Sequence, residues 1–412
     1  MIVCNTLAND LLEKSLQTIH LVSQPLIYYS FVFLVFVILV AVISYRLVYR
    51  TGFWGKQPIK RKYSILDRVR GEGVIDSEMP IWTKYCNEIN VTTSDKLTET
   101  CLSRIAKLAN NNMSLDNGLV KHASSDSLMA MFNGFQDPIY VSFYTKESND
   151  YGCLTSRPVK IRLNRNEIQA YLFDYFHIYS DSRSTKDNIE TSLVQTHEFY
   201  QRSNNQNIRV SLFLRKNKLK QVSEICAFNI LTYEIDLDLD YDFSRQKGLV
   251  VFPVKTSSQL TDLIDFVKSR KERFSIDIVT TVGNLLTLIE KEQLFIIGCN
   301  SFDKTMGYVF FRDFKNGTKK DPILDCIGSM FDKTIDSKLL NSACSAAFSR
   351  GIMIATKSSP CRYLRLWDLG DCSHIMNCLG NSKQYKTNET HYLYLYNYRS
   401  NTVHGNQILI LI

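Results

Sequence analysis

The longest apolar pattern of the chain lies near its beginning, where residues 26–45 contain no charged side chain. No Asp, Glu, Lys or Arg occurs between Lys14 and Arg46. About 20 apolar residues are enough for a helix to cross the hydrocarbon core of a bilayer. The pattern therefore predicts a transmembrane helix over residues 26–48, preceded by a short segment of residues 1–25. A buried core helix is the alternative.

Beyond residue 49 the hydrophobic positions alternate between helical and strand spacing. In residues 257–270, for example, Leu260, Leu263, Ile264 and Val267 share one helical face. The last residue of the helix predicted after Asp336 is Arg350, with Gly351 as its closing residue. Two similar α/β halves are therefore predicted, residues 49–243 and 244–412. The predicted helices cover residues 124–132, 189–200, 257–270 and 336–350, and the predicted strands cover residues 138–144, 170–178, 248–254, 294–298, 306–311 and 363–369.

The chain ends on two more apolar segments, residues 394–398 and 407–412. A terminal apolar strand brings its α-carboxylate towards a folded core. A buried carboxylate raises the free energy of the fold unless it has a partner or a function. A frayed strand with a solvated carboxylate is the alternative interpretation.

Six basic residues follow the apolar segment, and the first acidic residue after that segment is Asp67. The positive-inside rule then predicts a single-pass membrane protein whose large C-terminal part is cytosolic and whose N-terminus is not. The membrane is that of a cell or a virion. Glycosylation sequons in the C-terminal part are expected to stay unmodified. The six basic residues are Arg46, Arg50, Lys56, Lys60, Arg61 and Lys62, and the four sequon asparagines are Asn90, Asn112, Asn316 and Asn388.

Composition narrows the class of protein further. Hydrophobic residues make up 45% and charged residues 22% of the chain, as in globular proteins. The net charge of +8 lies partly beside the predicted span, and no dense basic run indicates nucleic-acid binding. Eleven cysteines without a C-x-x-C motif predict free, buried thiols in a reducing compartment.

One acidic cluster begins like the sequence of a calcium-binding loop. Aspartates alternate with apolar residues from Asp236 to Asp242. The sixth position is Tyr241, where the loop needs Gly, and the twelfth is Lys247, where it needs Glu. The alternation instead predicts a half-buried strand with an acidic outer face, and no metal site is expected.

Several motifs resemble those of one enzyme family, the N-myristoyltransferases. Residues 53–59, Phe-Trp-Gly-Lys-Gln-Pro-Ile, are similar to the family's F-W-x-x-Q-P-V. Residues 248–263 and 350–369 resemble its later motifs, and the two terminal segments resemble its C-terminal strand pair. The resemblance covers nearly all of residues 52–412. It implies a mixed α/β fold of two tandem acetyltransferase-like (GNAT) domains, the first binding acyl-CoA and the second a peptide.

The resemblance also implies roles for particular residues. The catalytic base is the C-terminal carboxylate of Ile412, and the oxyanion hole is formed by the backbone N–H groups of Tyr175 and Phe176. Myristoyl-CoA or a similar acyl-CoA is the co-substrate, with no permanently bound cofactor. The other partners are peptides with an N-terminal glycine and the lipid bilayer. The residues expected to bind the co-substrate are Phe53, Trp54, Gln57, Arg183, Ser184, Thr185 and Lys186.

Two departures leave alternatives open. Acidic residues Asp181, Asp187 and Glu190 accompany the predicted phosphate loop, and a glycine-rich segment of the family is replaced near Gly380. A catalytically inactive membrane scaffold, or a lipid- or peptide-binding protein, is therefore a second interpretation. A GNAT-like enzyme with another acyl donor is a third. Abundant Asn, Tyr and Ile suggest an AT-rich genome, such as that of a large DNA virus.

Overall fold

A computed structural model describes most of the chain. The described residues are 28–44, 53–54, 57–79, 89–93, 97–111, 123–179, 183–235, 248–270, 272–302, 304–313, 317–318, 321–358, 361–379 and 385–412. The chain forms two compact units, Met1–Lys56 and Gln57–Ile412.

The first unit contains helix α1, described over residues 28–44, and every residue of this stretch is exposed. In the part of the chain that the structure describes, no helix has both the length and the apolarity needed to cross a membrane. Residues 1–25, and residues 26–27 and 45–48 of the predicted span, lie outside the described residues.

The second unit has a mixed α/β fold, as the alternating sequence pattern predicts. Its helices are α2 Ile65–Val69, α3 Glu99–Asn111, α4 Ser125–Met131, α5 Arg183–Asn204, α6 Ser257–Ser269, α7 Val282–Glu290, α8 Ser337–Ser358 and α9 Cys372–Leu379, with a 3-10 helix Gly405–Gln407. Its strands are β1 Gly73–Val74, β2 Ile89–Thr93, β3 Tyr140–Lys146, β4 Asn149–Leu163, β5 Asn166–Phe173, β6 His177–Ile178, β7 Val210–Arg215, β8 Cys226–Glu234, β9 Leu249–Pro253, β10 Ile276–Val279, β11 Leu294–Ser301, β12 Lys304–Arg312, β13 Gly317–Thr318, β14 Asp321–Phe331, β15 Tyr363–Trp367, β16 Thr387–Tyr396, β17 Tyr398–Arg399 and β18 Ile408–Leu411.

Sixteen of the described strands form one sheet, whose main path is β18-β10-β4-β5-β7-β16-β8-β15-β14-β12-β11-β9. Two parallel pairs repeat the same arrangement: β5 with β7, and β14 with β15. Each pair is connected by a helix of 22 residues, α5 in one case and α8 in the other. A long helical crossover is the connection that parallel neighbours require.

Strands from before and after the predicted domain boundary are neighbours at several places in this sheet. Strand β8 pairs with β15 and β16, while β10 pairs with β4 on one side and β18 on the other. The boundary itself, near residue 243, lies outside the described residues, so the division into 49–243 and 244–412 stays a prediction. The acidic cluster 236–242 lies outside them as well.

The largest buried cluster surrounds β4, β5, β7, β10 and β18. Strands β10 and β18 read Ile-Asp-Ile-Val and Ile-Leu-Ile-Leu, and their nearly continuous apolar sequence suits parallel strands buried on both faces. The short helix α4 begins as predicted, because Ser124 and Ser127 form a reciprocal capping box.

The end predicted for α8 is wrong. The helix continues through Gly351 to Ser358. A Cβ atom on Gly351 would lie 2.1 Å from Cε2 of Phe311, so this glycine permits close packing of the helix against β12 instead of ending the helix.

The described cysteines are free and buried, as the sequence predicts. They are Cys101, Cys153, Cys226, Cys299, Cys326, Cys344, Cys361 and Cys372.

Candidate active site

The site begins where two parallel strands separate. Strands β5 and β7 pair up to Phe173 and Phe213. Beyond that point the chain leaves β5 at Asp174, while β7 continues to Arg215 along its other neighbour, β16. The single strand predicted over residues 170–178 is therefore interrupted at 174–176. This interruption opens a cleft between the two strands.

The C-terminal strand reaches the same region from the other direction. Strand β18 pairs in parallel with β10, in the register Ile276↔Ile408 to Val279↔Leu411. The N–H group of Thr280 donates to the carbonyl oxygen of Leu411 at 3.0 Å, which fixes the strand one residue before its end. Leu411 is buried and Ile412 is half-buried.

A cavity of about 410 Å³ lies where the cleft and the terminal strand meet. Tyr175 and Phe176 line it from one side, and Ile410 and Ile412 line it from the other. The structure thus brings together the residues that the sequence predicted as oxyanion hole and base. Its apolar lining includes Met131, Leu172, Phe173, Leu212, Leu214, Ile278 and Leu393.

Two buried ion pairs contribute charge to the cavity wall. Arg157 Nε donates to Asp174 Oδ2 at 2.7 Å, and both residues line the cavity. Arg365, which also lines it, donates from Nη2 to Asp325 Oδ2 at 2.6 Å. Burial raises the pKa of Asp174, and the charge of Arg157 opposes that rise. Burial also raises the pKa of Tyr175, so this phenol stays protonated at neutral pH.

The N–H groups predicted as the oxyanion hole have partners within the chain. The Tyr175 N–H donates to Thr155 Oγ1 at 3.0 Å. The Phe176 N–H donates to the carbonyl oxygen of Asp174, also at 3.0 Å. Both groups must leave these acceptors before they can donate fully to a ligand.

The residues predicted to hold CoA phosphates cluster at the beginning of α5. Thr185 and Lys186 lie exposed in its first turn, where the helix dipole favours anions. Arg183 begins the helix, but its side chain and that of Ser184 lie outside the described residues. No side chain of this turn lines the 410 Å³ cavity among those described.

The remaining predicted residues are Gln57 in the second unit and Phe53 and Trp54 in the first. Gln57 is buried and accepts a hydrogen bond from the Tyr396 hydroxyl at 2.9 Å, away from the cavity lining. Phe53 and Trp54 belong to the first unit, where their rings meet edge to face with centroids 5.1 Å apart.

Several cavity residues were missed by the sequence analysis. Asp174 stands in an otherwise apolar or aromatic segment, and that isolation of a charge is a signal the pattern contains. Arg365 follows the same rule inside the apolar strand β15. Arg157 gives no such signal, because polar and basic residues lie on both sides of it in the sequence. His391 lies on β16 and gives no such signal, because its neighbours are polar.

Comparison with known proteins identifies the fold. Two crystal structures of Saccharomyces cerevisiae N-myristoyltransferase with bound myristoyl-CoA match at TM-scores of 0.65 and 0.64. Sequence identity is 14% in both cases. Each match covers 86% of this chain, and the two matches cover 94% and 89% of the yeast chain. Neither a family model nor a curated protein matches the sequence. The chain therefore has an N-myristoyltransferase-like fold at low sequence identity.

Proposed function

We propose that the protein is an N-myristoyltransferase-like acyltransferase. It moves a fatty acyl chain from acyl-CoA to the N-terminal glycine amine of a peptide. One observation carries the proposal: Ile412 and the pair Tyr175–Phe176 line the same cavity, in a fold shared with N-myristoyltransferases. Two tandem GNAT-like domains, residues 49–243 and 244–412, provide the donor site and the peptide site.

The reaction needs a free amine, and the terminal carboxylate of Ile412 is the base that provides it. An α-ammonium group has a pKa of about 8, so transfer of one proton to a nearby carboxylate is sufficient at neutral pH. The amine then attacks the thioester carbon. A C–N bond forms, the C–S bond breaks, and CoA leaves as a thiolate. The proton that the nitrogen loses as it becomes an amide passes to this thiolate.

The donor is bound at the cleft between β5 and β7, with its phosphates at the beginning of α5. Arg183 and Lys186 supply positive charge there, and Ser184 and Thr185 supply hydroxyl groups. Backbone N–H groups of the first turn add further donors. A fatty acyl chain then extends along the apolar lining of the cavity.

A non-enzymatic binding protein is the second candidate. The observation that favours it is the internal use of the Tyr175 and Phe176 N–H groups, which bond to Thr155 and Asp174. Such a protein binds acyl-CoA in the cavity and transfers nothing.

Variants of the C-terminus separate the two candidates. Ile412→Gln keeps the carboxylate in place, so transfer should continue. Deleting Leu411 and Ile412 withdraws the carboxylate by about 6–7 Å, and adding two glycines replaces it with a neutral amide. Both changes should lower kcat by about 10²–10⁴-fold, the usual effect of losing a general base.

The measurement is acyl transfer to a glycine-initiated peptide, with acyl-CoA binding as the control for folding. All three variants should bind acyl-CoA like the wild type. Full turnover by the glycine-extended protein contradicts the carboxylate mechanism. Binding without turnover in every protein, including the wild type, favours the non-enzymatic candidate.

A further inference from the structure

Acyl transfer places negative charge on the former carbonyl oxygen of the thioester. Hydrogen-bond donors held in position for that oxygen stabilise the transition state more than any other single feature. In this structure the two backbone N–H groups of the predicted oxyanion hole already donate, to Thr155 Oγ1 and to the Asp174 carbonyl, at 3.0 Å each. A donor without such a partner is therefore better prepared for the oxygen.

Arg157 provides one. The residue lies on β4, is 1% exposed, and lines the cavity that contains Tyr175, Phe176 and Ile412. Its Nε donates to Asp174 Oδ2 at 2.7 Å and its Nη2 donates to Oδ1 at 3.5 Å. Its Nη1 is buried and has no hydrogen-bond partner among the residues that the structure describes. One edge of the guanidinium group is thus held by Asp174, and Nη1, on its other edge, has no described acceptor.

The electrostatic setting strengthens this donor. A second buried guanidinium, that of Arg312, lies near Arg157, Asp174 and Tyr175. Burial and then the charge of Arg157 lower the pKa of Arg312 to about 9. A buried N–H without an acceptor raises the free energy of the folded state, and an anionic oxygen in the cavity relieves that cost.

We propose that Nη1 of Arg157 donates to the thioester carbonyl oxygen as negative charge develops on it. This inference rests on the proposed acyl transfer and assigns its oxyanion donor. As the amine forms the C–N bond, the carbonyl π electrons move to oxygen, and Arg157 keeps its proton throughout. When the C–S bond breaks, the carbonyl re-forms and the oxygen loses its charge. Asp174, directly before Tyr175, is the positioning residue.

Arg365 is the other buried guanidinium of the cavity wall, and it fits the role less well. It lies on β15 and pairs with Asp325, whose second oxygen accepts from Trp367 Nε1 at 2.9 Å. Neither residue adjoins the point at which β5 and β7 separate, whereas Asp174, the partner of Arg157, directly follows their last paired residue on β5.

The test removes both charges of the pair together, because removing one leaves a buried charge without its partner. The double variant Arg157→Met/Asp174→Asn should lower kcat by about 10²–10³-fold, the usual effect of losing one oxyanion donor. Its affinity for an S-alkyl-CoA thioether, which has no carbonyl oxygen, should stay that of the wild type. Arg157→Lys should also lower kcat, since an ammonium group cannot reproduce the guanidinium geometry.

The matched control is Arg104→Met/Asp150→Asn. That pair is also bidentate, at 2.8 and 2.6 Å, and it joins α3 to β4 outside the cavity. This variant should leave kcat unchanged.

Three results overturn the inference. If the Arg157→Met/Asp174→Asn protein binds the thioether and keeps its kcat, Arg157 is not the donor, although acyl transfer itself stands. If thioether affinity falls in parallel with kcat, the pair serves ground-state binding. If the wild-type protein binds acyl-CoA but transfers nothing, the inference and the proposed function fail together.

Discussion

Two buried arginines of the sheet, Arg162 and Arg365, are paired with aspartates on neighbouring strands. Arg162 and Asp277 illustrate the arrangement, because they lie opposite each other on β4 and β10 and both side chains are 9% exposed. Removing one partner from such a pair typically costs about 3–5 kcal/mol, whereas replacing both can be neutral. Single substitutions at these sites therefore disturb folding and function together, and double replacements are the informative variants.

The predicted phosphate site at the beginning of α5 allows a cleaner test. If Arg183 and Lys186 hold CoA phosphates, changing both to Ala should weaken acyl-CoA binding by roughly several-fold to a hundredfold. Such a loss corresponds to about 1–3 kcal/mol for charge-assisted contacts. The measurement is the Kd for acyl-CoA at one fixed ionic strength, because salt screens exposed charges.

The matched control changes two exposed lysines, Lys255 and Lys291, neither of which lines the described cavities. Replacing this pair by Ala should leave the Kd as it is. Equal affinities for both double variants would remove Arg183 and Lys186 from the donor site.

Among the elements, α5 is attached to the sheet by a buried chain of hydrogen bonds. His197 lies between two serines, 2.7 Å from Ser142 Oγ on β3 and 2.8 Å from Ser156 Oγ on β4. Because the Ser156 hydroxyl donates to Gln201, it accepts from His197, and this places the imidazole proton on Nε2. The chain continues from Gln201 through Ser211 on β7 to Glu198.

Two titratable groups of this hydrogen-bond chain, Glu198 and His197, change the stability of the protein in opposite directions as the pH rises. Burial raises the pKa of Glu198 to about 7 from a usual 4.5, so its contribution to stability is lost as pH rises through that window. Burial lowers the pKa of His197 to about 3 from a usual 6.5, so its contribution is lost as pH falls through that range. Between pH 4.5 and 6.5 the two effects partly cancel in the wild type.

Replacing Glu198 with Gln isolates the carboxyl effect. Relative to the wild type, Glu198→Gln should gain stability between pH 5 and pH 8, by of the order of 3 kcal/mol at most. The reason is that the amide cannot ionise, whereas the buried carboxyl must do so as the pH rises. The measurement is urea unfolding of both proteins at the two pH values. Parallel stability curves for the two proteins would exclude this role for Glu198.

Periodicity located several elements of the second unit, such as α6, but it missed others, such as β4, β7 and β14. It also gave some element ends wrongly. Helix α5 is ten residues longer than the predicted 189–200, because residues 183–188 and 201–204 at its two ends are polar and carry no apolar spacing. The interruption at Asp174 is also invisible to periodicity, since aromatic residues continue on both sides. Gly351 was misread for a physical reason: a glycine that permits close packing and a glycine that ends a helix look the same in a sequence.

The candidate site was predicted in part. Motif resemblance pointed to Ile412, Tyr175 and Phe176, which line one cavity. It gave no sign of Arg157, because a guanidinium that faces a cavity and one that lies at the surface have the same letter in the sequence. Only the fold brings Asp174 to its side.

At the scale of the whole molecule, the two ends of the second unit are tied together. Gln57 pairs with Tyr396, 339 residues away, and Asp277 lies beside Leu409 through the β10–β18 register. Contacts between residues so far apart in sequence slow folding, because the chain must close long loops before it gains their stability. The unit should therefore fold slowly.

Membrane topology is a prediction for the whole chain. If residues 51–412 are cytosolic, the sequons at Asn90, Asn112, Asn316 and Asn388 should carry no glycan in intact cells. Leu7→Ser creates a fifth sequon at Asn5, on the side predicted to be non-cytosolic, and this one should be modified. The measurement is the shift in electrophoretic mobility on treatment with a glycosidase.

The Leu7→Ser protein is its own control, since modification at Asn5 shows that the chain has reached the glycosylating compartment. A glycan on any of the four natural sequons would contradict the predicted orientation.

The buried thiols described above allow the opening of the sheet to be followed by chemical labelling. Burial raises the pKa of Cys153, Cys226 and Cys299 to about 12, so at neutral pH they are almost entirely unreactive thiols. An alkylating reagent can then label them only during the moments when the surrounding structure opens. Since they lie on β4, β8 and β11, the order in which they gain mass reports which part of the sheet separates first.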